Sequence, residues 1–270
     1  MHASVIPPIA HLEEFCKGRP FHLVLAHLLG NPDYFKFWAS ESSRSYVMLD
    51  NSAHEFQEGQ ATLKLLENAF NLGASEVVLP DKLFDSEATI DNTVSAIESI
   101  STLEFLRESI PFPRFAMVPQ GLSIPDLRDC ALGMGDAYLR GQDKFPKKFG
   151  QPTVGVSKDY ERFPGGLIET LEKVIFPMQD RLKAEVHLFG WGRNLWAYRD
   201  IVRQYGPRIR SIDSAKPFVY GAEGILIRMD EPAPKYPRRR SDYFEMGLEP
   251  LQLAISQMNV NVFDDMVRGV

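Results

Sequence analysis

Short apolar runs alternate with helical patterns along this 270-residue chain, at a spacing of roughly 25–40 residues. That alternation constrains the fold most, because strands joined by crossover helices lie parallel in one sheet. Residues 21–27, 46–49, 76–79, 114–118, 153–156, 185–189 and 208–212 read as seven strands. Phe218-Val219-Tyr220 or Ile225-Leu226-Ile227 offers an eighth. Seven or eight such units fit a single-domain (β/α)8 TIM barrel, typically about 250 residues long. A doubly wound open sheet is the alternative. No Gly-x-Gly-x-x-Gly or P-loop sequence supports that fold's usual nucleotide site.

The helical segments carry their own punctuation. Gly30-Asn31-Pro32-Asp33 is a turn and cap before a short aromatic helix from Tyr34 to Ser40. Gln60 to Leu72 places Leu63, Leu66, Ala69 and Phe70 on one face, and Gly73 closes it. Ser86 is expected to cap a helix to about Ile100, and Ser123, Pro125 and Asp126 to open another. Gly141 to Gly150 reads as a loop carrying Lys144, Lys147 and Lys148. Gly166 to Leu182 is helical, and Asn194 caps a helix to about Tyr205. Pro217 is expected to stop regular structure after the seventh strand.

Hydrophobic residues make up 44% of the chain and charged residues 24%, enough for a sizeable core. No apolar run reaches the length of a membrane span, and the first residues lack the pattern of a signal peptide. A cytoplasmic setting is expected. The two cysteines, Cys16 and Cys130, argue against a disulfide framework and a cysteine-rich zinc site, so no metal is expected. A net charge of −6 does not favour nucleic acid globally, so such a site would be a local basic patch. The best candidate is the tract from Lys235 to Arg240, with Lys235, Arg238, Arg239 and Arg240 as phosphate contacts. The loop with Lys144, Lys147 and Lys148 is a second. Basic runs are also ordinary solvated faces, and both readings stand.

The chemistry gathers at the predicted carboxyl ends of the strands, which in a barrel converge on one mouth. Asp50, Asp81, Gln120, Gly155, Gly190 and Asp213 fall there. An acid after a strand also serves as a turn residue or helix cap. Two carboxylates flanking a sugar carbon suit glycosyl transfer: one attacks or stabilises an oxocarbenium-like centre and the other moves protons. A further Asp and a Gln can pair with the edge of a flat heterocycle, and glycines let a ring approach the backbone.

These residues and their flanks resemble the tRNA-guanine transglycosylase family, the queuine and archaeosine enzymes. Asp50-Asn51-Ser52-Ala53-His54-Glu55 stands where the family has Asp-Ser-Gly-Gly-(Phe/Tyr)-Gln. Asp81 after Val-Leu-Pro matches the Asp that reads the guanine edge. Val118-Pro119-Gln120-Gly121 is similar to Val-Gln-Gly-Gly, and Gly155-Val156 to a Gly-Leu whose backbone faces the base. Leu188-Phe189-Gly190-Trp191-Gly192 resembles Leu-Met-Gly-Val-Gly. Ser211-Ile212-Asp213-Ser214 matches Met-Phe-Asp-Cys, whose Asp is the nucleophile, and Gly221 resembles the Gly closing that motif. The resemblance runs from about Tyr46 to Gly221; the remainder to residue 270 lies outside it. The chain departs from the family at Ser52-Ala53 and at His54, where the family stacks an aromatic ring. It has no Cys after Cys130 for the family's zinc module, and no RNA-binding domain is recognised.

The resemblance implies exchange of a guanine in a nucleic acid for a 7-deazaguanine base, with no cofactor. Asp213 is the implied nucleophile and Asp50 the acid/base. Asp81, Gln120, Gly121, Gly155, His54, Phe189 and Gly190 are the implied base-binding residues. Compact members, notably the phage 7-deazaguanine DNA transglycosylases, act on DNA. The expected polymer is therefore DNA, within a bacterial host if the chain is phage-encoded. Exchange on tRNA is the alternative. A non-catalytic partner subunit and a nucleoside- or sugar-cleaving hydrolase stay open, as does the oligomeric state.

Overall fold

A computed structural model describes residues 1–104, 112–144, 150–191, 195–228, 237 and 239–269. Eight strands form one parallel sheet: β1 (His2–Val5), β2 (Phe21–Leu25), β3 (Tyr46–Asp50), β4 (Glu76–Val78), β5 (Arg114–Met117), β6 (Thr153–Ser157), β7 (Glu185–Phe189) and β8 (Ser211–Ser214). Their order is β1-β8-β7-β6-β5-β4-β3-β2. The sheet curls until β1 faces β2, where the Leu23 N–H donates to Ser4 Oγ at 2.8 Å. The result is a nearly closed (β/α)8 TIM barrel with helices between the strands.

Alternation along the strands builds two apolar layers. Phe21, Leu23, Met48, Val78, Ala116 and Val118 pack together inside the barrel. Their neighbours Val24, Val47, Leu49, Val77, Phe115, Met117, Val154, Val186, Leu188 and Ile212 belong to the outer core under the helices. The interior is not apolar throughout. At its floor Arg210 pairs with Glu76 at 2.8 Å and with Glu185 at 2.7 Å, and Arg114 meets Glu185 at 2.7 Å.

The eighth strand differs from expectation. Phe218-Val219-Tyr220 lies in the buried helix Lys216–Ala222, and 225–227 has no regular structure. The remaining strand is β1 at the chain's start, paired to β8 in register His2 with Ser211 and Ser4 with Asp213. Pro217 opens a helix and does not end regular structure, because the first helical turn needs no N–H from it. The strand expected over 208–212 begins at Ser211, after a tight turn at Gly206–Arg208. Asp213 is thus inside a strand, two residues from Ser211 on the same face.

Smaller corrections concern helix faces and caps. Leu63 is exposed; Leu65, Leu66, Ala69 and Leu72 form the buried face of Thr62–Leu72. Asp85, not Ser86, caps the helix Ser86–Glu104, taking the Ala88 N–H at 3.0 Å. The helix Ile124–Lys144 extends into the expected loop, whose Lys147 and Lys148 lie outside the described residues, as does the Asn194 cap. Among the described residues no helix is long and apolar enough to cross a membrane.

The part beyond Gly221 completes the wall. The helix Pro250–Arg268 starts with a reciprocal cap between Glu249 and Gln252. Asp264 on it forms a two-pronged ion pair with Arg19, at 3.0 and 2.8 Å. Asn259 pins the 225–227 segment, accepting from the Ile227 N–H at 2.6 Å and donating to Ile225 O at 2.9 Å. Gly221 lets this helix approach: a Cβ there would lie 2.0 Å from Ser256 Oγ and 2.9 Å from Ser256 Cα. Gly221→Ala should therefore destabilise the chain by about 1–3 kcal/mol through overpacking. Urea unfolding with an unchanged midpoint would show that the helix yields freely.

Candidate active site

A cavity of about 420 Å³ opens at the carboxyl ends of the strands. Asp50, Asp81, Gln120, Gly190 and Asp213 all line it, from five different β-strand ends or the turns that follow them. His54 and Phe189 line it too. Gly155 and Gly121 do not. A Cβ on Gly155 would lie 2.5 Å from the Phe189 ring and 2.7 Å from Val118, so its bareness makes room for them. A Cβ on Gly121 would lie 2.7 Å from the Leu127 nitrogen, so it lets the loop close on the helix Ile124–Lys144.

Asp213 points into the barrel near its mouth and is almost fully buried. Its Oδ1 accepts from the Gly190 N–H at 3.0 Å and faces His187 Nε2 at 3.1 Å. Gly190 has φ +75°, a conformation glycine adopts without steric cost, and this turns its N–H onto Asp213. The Gly190 N–H and the imidazole nitrogen both meet Oδ1, which leaves the other oxygen for chemistry.

Asp50 ends β3 on the same mouth. Its Oδ2 accepts from the Ser52 N–H at 3.0 Å. Ser52 is in the left-handed region, φ 62°, a path for which glycine is the easier residue. Its hydroxyl oxygen holds the turn by accepting from the His27 N–H at 3.1 Å. Burial pushes the Asp50 carboxyl well above its ordinary range, with further push from Glu55, Asp81 and Asp213 against the Ser52 N–H. Asp50 is thereby biased toward its protonated form.

Asp81 sits deeper, held between two amides. Asn51 Nδ2 donates to its Oδ1 at 2.6 Å, and Gln120 Nε2 to its Oδ2 at 2.6 Å. The Phe84 N–H donates to Gln120 Oε1 at 3.2 Å, which fixes that amide's orientation. Burial raises Asp81 to about 6, with both amide donors opposing the shift.

The rim is mixed in charge. His54 is exposed, with Nε2 3.3 Å from Lys158 Nζ. Arg239 lines the cavity and pairs with Glu55 at 3.2 Å. Arg240 does not line it and pairs with Asp242 at 2.8 Å. Lys235 and Arg238 lie outside the described residues, and Lys144 ends its helix exposed. Among the described residues no three His, Cys, Asp or Glu side chains are grouped to hold a metal. Cys16 and Cys130 are buried, and burial pushes both thiols up to about 12, so neither is a ready nucleophile.

Asn51, Lys158 and His187 are among the residues of the site that escaped the sequence reading as functional. His187 had a usable signal. In a strand it shares the interior face with Glu185 and Phe189, two positions from the mouth. Asn51 and Lys158 follow strand ends, where loop residues of every kind occur.

No family model matches the chain, and no curated protein matches it. Among solved structures it is similar to catalytic-site mutants of active domain 2 of chitinase from Pyrococcus furiosus. The identity is 12% over 98% of this chain and 96% of that chain, with a TM-score of 0.32. Nothing about this site is drawn from so distant a likeness.

The Asp81 environment makes a thermodynamic prediction. Its folded-state pKa, about 6, lies above the ordinary 3.8. A raised carboxyl contributes stability below the lower value and loses it as pH rises through the higher one. From about pH 4 to about pH 7, wild type should lose about 2 kcal/mol relative to Asp81→Asn. Urea unfolding of both chains across that range reads the difference. A constant gap would show that Asp81 ionises at its ordinary pH.

Proposed function

We propose that this chain is a guanine transglycosylase that exchanges a guanine in DNA for a 7-deazaguanine base. One observation carries the reading: a single barrel-mouth cavity holds a doubly hydrogen-bonded Asp213 together with an Asp50 biased toward protonation. Opposed environments for two carboxyls are what a nucleophile and a proton donor need. The amide-braced Asp81 adds acceptor positions for the N–H edge of a purine-like ring.

In the proposed reaction Asp213 attacks C1′ of the target nucleotide. The C1′–N9 bond breaks, guanine takes the electron pair, and Asp50 supplies its proton. The incoming base then attacks C1′ through its five-membered-ring nitrogen and gives that N–H proton to Asp50. The ester bond breaks and its electrons return to Asp213. Two displacements retain the configuration at C1′, and one glycosidic bond replaces another, so no energy source is consumed. The target nucleotide must leave the stack to enter the cavity. DNA is proposed on the resemblance to the compact DNA-acting members; tRNA is the alternative polymer.

Two experiments test this. Asp213→Asn should keep the fold and nucleic-acid binding but abolish the denaturant-resistant protein–nucleic acid adduct. Adduct at near wild-type yield would remove Asp213 from its role. Separately, wild-type chain is incubated with a labelled 7-deazaguanine and either duplex DNA or unmodified tRNA. Label in DNA is expected. Label in tRNA alone would move the activity to RNA, and release of free guanine without label would mark a hydrolase.

A further inference from the structure

We propose that His187 is a positioning residue for Asp213, a neutral imidazole locked as the Nε2–H tautomer by Ser211 and Arg210. The proposal rests on Asp213 being the nucleophile. It concerns which carboxylate oxygen attacks and what holds the other.

The geometry begins with register. His187 on β7 is directly opposite Ser211 on β8, so both side chains enter the barrel at one level. The imidazole is fully buried, between Phe21 at 5.6 Å and the edge-on Phe189 at 4.4 Å. Its two nitrogens face different partners: Nδ1 is 2.8 Å from Ser211 Oγ and Nε2 is 3.1 Å from Asp213 Oδ1.

Donor and acceptor rules then assign the proton. Arg210 can only donate, and its Nε donates to Ser211 Oγ at 3.2 Å. Its terminal nitrogens are committed to Glu76 at 2.8 Å and Glu185 at 2.7 Å. The Ser211 hydroxyl therefore accepts from below, and among the described residues its own hydrogen has one acceptor in reach, His187 Nδ1. An Nδ1–H imidazole would set two donors against Ser211 and strand the hydroxyl hydrogen in a dry interior. With Nδ1 accepting, Nε2 carries the hydrogen and donates to Asp213 Oδ1.

The imidazole stays neutral for a separate reason. Burial pushes His187 below its ordinary value, against the pull of Asp213. The charged groups around it are Asp213 on β8, Arg210 just before β8, Glu76 on β4 and Glu185 on its own strand. The relay from Arg210 to Asp213 thus runs up the barrel without moving a proton.

Oδ1 of Asp213 accepts from both His187 and Gly190, while Oδ2 has no hydrogen bond among the described residues. Attack accordingly forms the Oδ2–C1′ bond. Oδ1 becomes the ester carbonyl and keeps both donors. When the second displacement breaks Oδ2–C1′, the returning charge finds the same two donors in place. Such preorganised donors act on both half-reactions without reorganising.

The test uses the full chain labelled with ¹⁵N. Long-range ¹H–¹⁵N spectra from about pH 5 to 8, with the His187 signals assigned by their loss in His187→Gln, should show that imidazole staying Nε2–H without titrating. Ser211→Ala should release it, giving mixed tautomers or titration within that range. Asp213→Asn should shift the Nε2–H resonance. In single turnover, His187→Phe should slow adduct formation about 100-fold with nucleic-acid affinity unchanged, as expected when a reacting group is misplaced. His187→Gln, which keeps a donor amide, should recover part of that rate. An Nδ1–H tautomer of His187, titration of the wild-type His187 imidazole in that range, or a His187→Phe rate equal to wild type would overturn the proposal. A wild type that forms no adduct with either polymer would sink the transglycosylase reading instead, and the tautomer with its dependence on Ser211 would still decide the positioning claim.

Discussion

A single buried guanidinium fixes the inside of this barrel. Arg210 enters just below β8, its side chain 12% exposed, and takes Glu76 of β4 and Glu185 of β7 together. The rings of Phe21 and Tyr46 flank it at 5.3 and 5.1 Å. Glu76 is fully buried, and the Tyr46 hydroxyl donates to the same carboxylate oxygen at 3.0 Å. Breaking such a pair by removing one partner costs about 3–5 kcal/mol, because a bare charge is left in a dry interior. The floor is therefore rigid, and Arg210 Nε reaches Ser211 at the level above.

From that floor the barrel interior changes character upward. Strand alternation assigns every second residue to the lumen, and the lumen holds in turn an ion-pair layer, an apolar belt crossed by His187 and Ser211, and the acids of the mouth. Phe21, Met48, Val78 and Ala116 form the belt, and the rings of Phe21 and Phe189 flank the fully buried imidazole. The same burial pushes Asp50 and Asp81 up while two donors brace Asp213. One physical cause, burial next to unlike hydrogen-bond partners, differentiates carboxyls of identical chemistry.

How much of this was legible follows from what each residue does. β2 to β8 were visible because each carries apolar residues in its outward positions, such as Val47 and Leu49 or Val154 and Val156. β1 was not, since His2-Ala3-Ser4-Val5 offers one strong strand former before a Pro-Pro turn. Its burial comes from closure against β8, a contact distant in sequence. Asp50, Asp81, Gln120 and Asp213 were placed by the rule that strand ends converge. Gly155 was read toward a ligand, yet its neighbours are Phe189 and Val118, because a bare backbone serves a packed ring as readily as a bound one. His187 was missed since a histidine amid Val and Leu reads as core until its opposite residue is known. Pro217 misled through position: the same ring that ends a strand opens a helix.

The charge balance of the cavity bears on what enters it. Asp50, Glu55, Asp81, Asp159, Glu161 and Asp213 line it against Lys158, Lys216 and Arg239. Such a lining repels a phosphate, so a polynucleotide backbone is better kept at the rim, near Lys158 and Arg239. It favours a ring that presents N–H groups, because each donor offsets the repulsion among the lining acids. A guanine edge presents such donors, and so does a 7-deazaguanine. The raised carboxyls of Asp50 and Asp81 thus fit the proposed base exchange, in which a bound ring would complete the electrostatics of the cavity, while the ion-paired floor holds the strand that carries Asp213.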